Sequence, residues 1–171
     1  MPINFRNKLS YLRSMKIRLI CVGKTDIKHF QDAENEYLKR LKHYIPIEKI
    51  EIPELKNAKK LRKDQIKQEE GSLILKQITP GEQVILLDEK GKRFSSIEFS
   101  KFLQKRMNSG GKYISFIIGG AYGFSEDVYQ RADSKVSLSE MTFSHQMIRT
   151  FFLEQVYRGF TILKGEPYHH Q

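Results

Sequence analysis

Hydrophobic positions along the chain switch repeatedly between two periods. Short runs that are continuously apolar or strictly alternating give way to longer stretches where apolar residues return every three or four positions. Lys16 to Val22 predicts a first strand that stops at Gly23. From Asp26, in N-cap position, a helix follows with Phe30, Ala33, Tyr37, Leu38 and Leu41 on one face, and Pro46 stops it. Ile47 to Ile52 alternates apolar with charged, as a half-buried strand does. After a polar loop from Pro53 to Lys60, a helix is expected over Leu61 to Ile78, with Ile66, Leu73, Leu75 and Ile78 inward. Pro80-Gly81 marks a turn. Gln83 to Asp88 is nearly all apolar and predicts a central strand covered on both faces, and Asp88 to Gly91 turns the chain. Ser95 and Glu98 form a capping box for a helix carrying Phe99, Phe102, Leu103 and Met107, ended by Gly110-Gly111.

The second half carries two abrupt strand ends. Tyr113 to Ile118 is β-branched and aromatic, and Gly119 and Gly120 stop it. Glycines there allow a sharp turn and a close approach by a ligand. Ser125 is expected to cap a short helix, Glu126 to Ala132, before a strand, Lys135 to Leu138, which opens into a loop of Ser139, Glu140, Met141 and Thr142. Two such strand ends suggest a composite pocket. Ser144 starts the most strongly patterned helix, to about Leu163, in which Met147, Ile148, Phe151, Phe152, Val156 and Phe160 cover more than one face. That surplus points to burial against both the sheet and a second copy, that is, a homodimer through the C-terminal helix. Strands alternating with helices imply an α/β fold with a mostly parallel sheet flanked by helices. The threading of the chain is not readable from the pattern. Met1 to Ser14 has no clear period, although Phe5, Leu9 and Leu12 are compatible with a short helix. It reads as an extension before a natural start at Met15.

Composition narrows the class. A chain of 171 residues fits one domain, 15–171, beyond the extension 1–14. Thirty basic against twenty acidic residues give +10, which suits a polyanionic partner such as nucleic acid or a merely basic soluble protein. The one cysteine, Cys21, lies in an apolar run and cannot form an internal disulfide. No apolar run approaches the roughly 20 residues that span a bilayer, and no secretion signal is recognised. A cytoplasmic protein with no membrane partner is the expectation.

Candidate chemistry clusters late. The spacing around Gly119 is not a dinucleotide fingerprint, and neither a phosphate-binding loop nor a nucleophile elbow occurs. Metal binding is not expected, because the histidines lack cysteine partners and no helical His pair exists. His145 and Arg149 share a helical face. A guanidinium in the apolar company of Arg149 needs a partner: Glu154, another carboxylate, or substrate phosphate. The tail Tyr168-His169-His170 could stack on a base, donate hydrogen bonds or titrate near neutrality, or be a frayed end. Lys39, Arg40 and Lys42 on one helix, and the run Lys59 to Lys67, are either solvated faces or phosphate grips.

Four segments together resemble a known family. Phe116 to Gly123 (Phe-Ile-Ile-Gly-Gly-Ala-Tyr-Gly), Leu138 to Arg149, Leu153 to Arg158 and Pro167-Tyr168-His169 are similar, in order and spacing, to the RlmH family. These are SPOUT-class methyltransferases that modify N3 of pseudouridine 1915 in bacterial 23S rRNA on the large subunit. The resemblance runs from Met15 to His169, and it departs at Ser144, where family members usually carry proline; a serine there can cap the helix. It implies a C-terminal trefoil knot, bent S-adenosylmethionine held by the knot loops, and a homodimer whose partner completes the active site. The positions matching the cofactor site are Leu87, Gly119, Leu138, Ser139, Glu140, Met141, Thr142 and Phe143. Those matching the polar set are His145, Arg149, Glu154, Tyr157, Arg158, Tyr168 and His169. Of these, Arg149, His169 and Tyr168 are candidates for catalysis. His145 and Arg158, with Lys39, Arg40 and Lys42, are candidates for RNA contact. The alternatives are a noncatalytic RNA-binding protein and a SPOUT enzyme acting on tRNA.

Overall fold

The computed structural model describes residues 15–170. Five strands form one sheet: β1 (Lys16–Val22), β2 (Ile47–Ile52), β3 (Gln83–Arg93), β4 (Tyr113–Ile118) and β5 (Ser134–Ser137). Their order across the sheet is β2-β1-β4-β3-β5, and every neighbouring pair is parallel. Five α-helices connect and close it: α1 (Lys28–Leu41), α2 (Lys63–Gln77), α3 (Ser96–Asn108), α4 (Glu126–Arg131) and α5 (His145–Lys164), with a single 3-10 turn at Ala58–Lys60.

The two-residue period of the strands divides the core into two layers. Ile17, Leu19 and Cys21 of β1, Ile85 of β3 and Ile114, Phe116 and Ile118 of β4 face α1, α3 and α5. Ile20, Val22, Val84, Leu86 and Ile117 face α2 and α4. Both faces are therefore covered, which is why β3 and β4 read as unbroken apolar runs. α5 crosses its layer with Phe152, Leu153, Val156 and Phe160 buried, and Phe152 meets Phe116 with ring centroids 4.7 Å apart. At Gly159 the helix passes so close to α3 that a Cβ would lie 2.8 Å from Leu103 Cδ1.

Several local expectations hold. Ser95 and Glu98 form the reciprocal capping box, at 3.2 and 2.7 Å. Ser144 Oγ accepts from the Met147 amide and starts α5. Others are corrected. Asp26 does not cap α1, which begins at Lys28; the free amides of Asp26 and Ile27 instead donate to Gln146 Oε1 of α5, at 2.9 and 3.0 Å. A glutamine from the far end of the chain thus fixes the segment leading into α1, whose own first turn has no side-chain cap. α2 buries Ile66, Gly71 and Ile74 fully, with the expected inward residues Leu73, Leu75 and Ile78 half-buried against the same core; Gly71 and Ile74 are the additions. Ser125 stands at the start of α4 without donating or accepting there; its hydroxyl is pressed against α2, where a Cβ on Gly71 would lie 2.1 Å from it. The turn expected at Asp88 to Gly91 is a bulge within β3: Leu87 and Lys92 both pair with Val136, so the strand resumes and runs to Arg93. β5 begins and ends one residue earlier than its apolar pattern suggested.

A buried ion pair at the amino ends of the strands was not foreseen. Glu82, its side chain wholly buried, accepts from Arg18 of β1 at 2.8 Å, from the Ser115 hydroxyl of β4, and from the amide of Thr79 at 2.8 Å. One carboxylate therefore joins the turn before β3 to the adjacent strand β4 and to β1 beyond it. Removing it leaves the Arg18 guanidinium short of its main countercharge in a dry site. Glu82→Ala is expected to lose about 3 kcal/mol of stability, read as a lowered urea midpoint; a change under about 0.5 kcal/mol would show that Arg18 repartners.

Candidate active site

Strand order alone creates two crevices at the carboxyl edge of the sheet. β1 leaves toward β2 through α1 on one face, whereas its neighbour β4 leaves toward β5 through α4 on the other. Chain segments diverge at such a point and leave a gap where ligands bind. β4 and β3 diverge in the same way, because β3 leaves through α3 on the α1 face.

The first cavity, about 590 Å³, lies beyond β3, β4 and β5. β3 contributes Leu87 and Asp88, β4 contributes Ile118 and the glycine turn, and the loop after β5 contributes Leu138, Ser139, Met141, Thr142 and Phe143. Seven of the eight positions assigned to the cofactor are thus brought together. Glu140 is the exception: its carboxylate pairs with Arg93 on the exposed side of the loop. Serines shape this loop, with Ser137 Oγ donating to the Ser139 carbonyl and Ser139 Oγ accepting from the Met141 amide, both at 2.9 Å. Gly119 is buried, and a Cβ on it would come within 3.0 Å of the Phe124 ring. Gly123 holds φ +82°, so the turn that forms the opposite wall depends on a residue free of Cβ sterics. Most of the wall is backbone and apolar side chain, a lining suited to a planar, largely apolar group with polar edges. Among its polar side chains, Tyr129 donates through its hydroxyl to Asp88 Oδ2 at 2.6 Å; burial first, then Asp88, raises the Tyr129 pKa and keeps the phenol protonated.

The second cavity, about 460 Å³, lies beyond β1 and β2 and shares Gly120, Ala121, Tyr122 and His145 with the first. Arg149 borders it, only 1% exposed. Of the expected partners, Glu154 is not used, and another carboxylate, Glu51, takes part beside a hydroxyl and a carbonyl. Nη1 donates to Thr25 Oγ1 at 2.9 Å, Nη2 to the Val22 carbonyl at 2.8 Å, and Glu51 stands 3.9 Å away. Nε has no partner. Glu154 is taken by Arg158 instead, at 3.0 Å. His145 lies at the wall common to both cavities, and burial, then Arg149, lowers its pKa and favours the neutral imidazole.

Tyr168 and His169 line neither cavity. The tail folds back on α5, where the Tyr168 hydroxyl donates to Glu154 Oε1 at 3.2 Å and His169 Nδ1 lies 3.4 Å from Arg158. The Arg158 guanidinium sits 4.7 Å over the Tyr168 ring. Burial, then Tyr37, raises the Tyr168 pKa. Lys39, Arg40 and Lys42 gather near this cluster: Lys39 and Lys42 are exposed, and Arg40 pairs with Glu36 and lies 5.6 Å over Tyr157. The run beginning at Lys59 stands instead at the cavities, with Lys59 at the second, Lys67 at the first, and Lys63 5.5 Å over Tyr122 between them. Among the described residues no group of three potential metal ligands occurs, and no helix is long and apolar enough to cross a membrane.

Sequence reasoning missed Asp88, Tyr129, Glu54 and Glu70 as cavity residues. Asp88 closes the apolar run of β3 and Glu70 falls in helical phase with Ile66 and Ile74, so both left a signal. Tyr129 and Glu54 left none.

The family described as predicted SPOUT methyltransferases matches residues 15–169. A protein of Flavobacterium psychrophilum named Ribosomal RNA large subunit methyltransferase H is 59% identical over 157 residues, covering 92% of this chain and 100% of its own length. A protein of the same name from Parabacteroides distasonis is 57% identical over the same coverage. Among solved structures, a probable methylase family protein from Haemophilus influenzae superposes with a TM-score of 0.50 at 9% identity, covering 94% of this chain and 72% of that one, a likeness of fold alone.

Glu70 provides a test of the second cavity's electrostatics. Burial first, then Glu54, raises its pKa above the ordinary carboxyl value. The folded protein therefore holds that proton more tightly than the unfolded chain, and stability is lost as pH rises through the folded pKa. Glu70→Gln is expected to be more stable than wild type at pH 7 in urea unfolding, with the gap closing below about pH 4. A gap unchanged with pH would refute this.

Proposed function

Because the chain belongs to the SPOUT methyltransferase family, we propose that it transfers a methyl group from S-adenosylmethionine to N3 of pseudouridine 1915 in bacterial 23S rRNA, acting on the large subunit. The observation that carries this reading is the meeting of Leu87, Gly119 and the 138–143 loop around one cavity, although they come from three strands. Relatives alike over their full length bear a large-subunit rRNA methyltransferase name, which supports the substrate class.

The residues fit the donor. A buried glycine whose Cβ would strike Phe124, beside the serine-shaped 138–143 loop, would leave backbone groups open to the edge of an adenine. Bound there, S-adenosylmethionine would supply an already activated sulfonium methyl. What the chain must add is placement of the uracil-like ring and relief of the negative charge that builds as the N3 proton leaves. Arg149, anchored through Nη1 and Nη2, would lend positive potential at the shared wall and hold the start of α5 in place. His145, kept neutral, would accept or donate a hydrogen bond to the RNA there without adding charge.

His169, Tyr168 and Arg158 would enter from a second copy. In one chain they sit along α5 outside both cavities. α5 also leaves Phe151 44% exposed, its ring tilted against Phe143 with centroids 5.0 Å apart, and Met141 is 76% exposed in the loop that carries Phe143. An apolar surface beside the cavity mouth is a reasonable seat for a partner's α5. The knot follows from the same reading: the loops after β4 and β5 that wall the first cavity would be the knotted segments, and residues 15–171 would form the single catalytic domain after an extension of 1–14. The basic residues at Lys59, Lys63 and Lys67 would meet rRNA phosphates near the cavity mouths, and Lys39, Arg40 and Lys42 would do so beside the tail.

Titration calorimetry with S-adenosylmethionine tests the donor. Wild type is expected to show saturable binding that Gly119→Val abolishes by forcing the valine side chain against Phe124, while the fold persists by circular dichroism. Equal binding by the folded variant would sink the assignment of this cavity. Light scattering tests the dimer: wild type is expected at twice the chain mass at micromolar concentration and Phe151→Glu at the chain mass, and a monomeric wild type would refute pairing through α5.

A further inference from the structure

The turn after β4 is almost free of side chains, with one large exception. Gly119, Gly120, Ala121 and Gly123 surround Tyr122 in the sequence. The Gly123 amide donates to the Gly120 carbonyl at 3.2 Å, and the two glycines also pair as an isolated bridge, so Ala121 and Tyr122 form the tip of a closed turn. Tyr122 is 45% exposed and lines both cavities. Among the described residues, the charge that meets its ring is Lys63, with Nζ 5.5 Å from the centroid. An aromatic this exposed adds little to the core, yet it stands at the wall common to both cavities.

The segment beside it is strongly basic. From Lys59 to Lys67 the chain carries five bases against one acid, Asp64. Lys59 lines the second cavity, and Lys67 lines the first. An aromatic face bordered by cations is the combination that holds single-stranded nucleic acid, with a base on the ring and the backbone on the charges. Glu54 and Glu70 line the second cavity and would repel a phosphate inside it, which keeps the backbone at the rim and admits an uncharged base. The reaction needs such a base. N3 lies on the pairing edge of a uracil-like ring, and an enzyme that works on that edge takes the base out of its stack. The stacking lost is recovered when the ring meets a protein aromatic.

We infer that Tyr122 is the stacking platform for the RNA base that receives the methyl group, with the flanking phosphates on Lys59 and Lys63. This rests on the methyl-transfer reading above. It accounts for a bulky exposed ring in a turn that is otherwise glycine and alanine.

The experiment compares Tyr122→Phe, Tyr122→Trp and Tyr122→Leu in the full chain. Methylation is followed on ribosomes from cells that lack this protein, and S-adenosylmethionine affinity is measured by calorimetry on the same samples. The Phe and Trp variants keep a stacking face and are expected to hold kcat/KM for ribosomes within about twofold of wild type. The Leu variant keeps the bulk without the π face and is expected to lose about tenfold or more, with donor affinity unchanged, which also reports that it folds. A Leu variant as active as wild type would overturn the inference and leave methyl transfer standing. Equal losses in all three variants would likewise overturn it, because the hydroxyl and not the ring face would then be at work. A Leu variant with weakened donor binding would overturn it too, by tying Tyr122 to the donor's cavity. Failure of wild type to methylate the ribosomes would remove the rRNA reading and the inference together.

Discussion

A guanidinium sealed beneath the start of α5 holds the functional edge of this protein together. Arg149 donates to the last carbonyl of β1 and to Thr25, and Thr25 in turn donates to Glu34 of α1 at 2.8 Å. Lys49 of β2 closes the circuit on Thr25, Glu34 and Glu51. Burial by itself would raise the Glu51 pKa, but the hydrogen bonds from Lys49 and the Thr25 amide outweigh it and pull it down. Two cations and two anions therefore balance in a region largely closed to water, the condition under which buried charge is tolerated. Cys21 lies below them, its thiol pushed up to about 12 by burial, so it packs as a small apolar residue.

The consequence reaches both cavities. Anchoring Arg149 fixes the first turn of α5, and Gln146 in the same turn holds the amides that open α1. The loop from Leu138 to Ser144 is then pinned between β5 and a rigid helix start. It becomes the wall of the first cavity, and the helix start becomes the wall of the second. A polar network of this kind contributes by fixing geometry more than by adding net stability.

The glycine turn works from the other side. β4 is the middle strand, and its outgoing chain must leave on the α4 face while β1 beside it leaves on the α1 face. Gly119, Gly120 and Gly123 make that exit without side chains of their own in the gap. The cavities are thus a product of sheet topology, kept open by small residues where the backbone turns. The tail cluster around Arg158 has a different logic: its aromatic and charged groups satisfy one another on α5, and they line neither cavity of their own chain.

Much of the local structure was legible. The apolar periods located all five strands and all five helices, because each strand is buried on one or both faces and each helix needs one inward stripe. Ser95, Ser144 and the glycines after β4 announced their boundaries through local hydrogen bonding and backbone freedom. The misreadings have a common cause. The backbone at Asp26 is held by Gln146, Ser125 is pressed against Gly71, and Lys92 resumes a strand that Asp88 to Gly91 seemed to end, each because a segment distant in sequence supplies the deciding contact. The strand ends at Gly119 and Leu138 already suggested a composite pocket; the addition of Leu87 came from resemblance to a family, not from spacing. Strand order, the partners of Arg149, and the meeting of Glu54 with Glu70 were decided only in three dimensions. Local sequence sets which face of an element is apolar; which element covers that face, and which charges are thereby sealed together, depends on the packing of the whole chain.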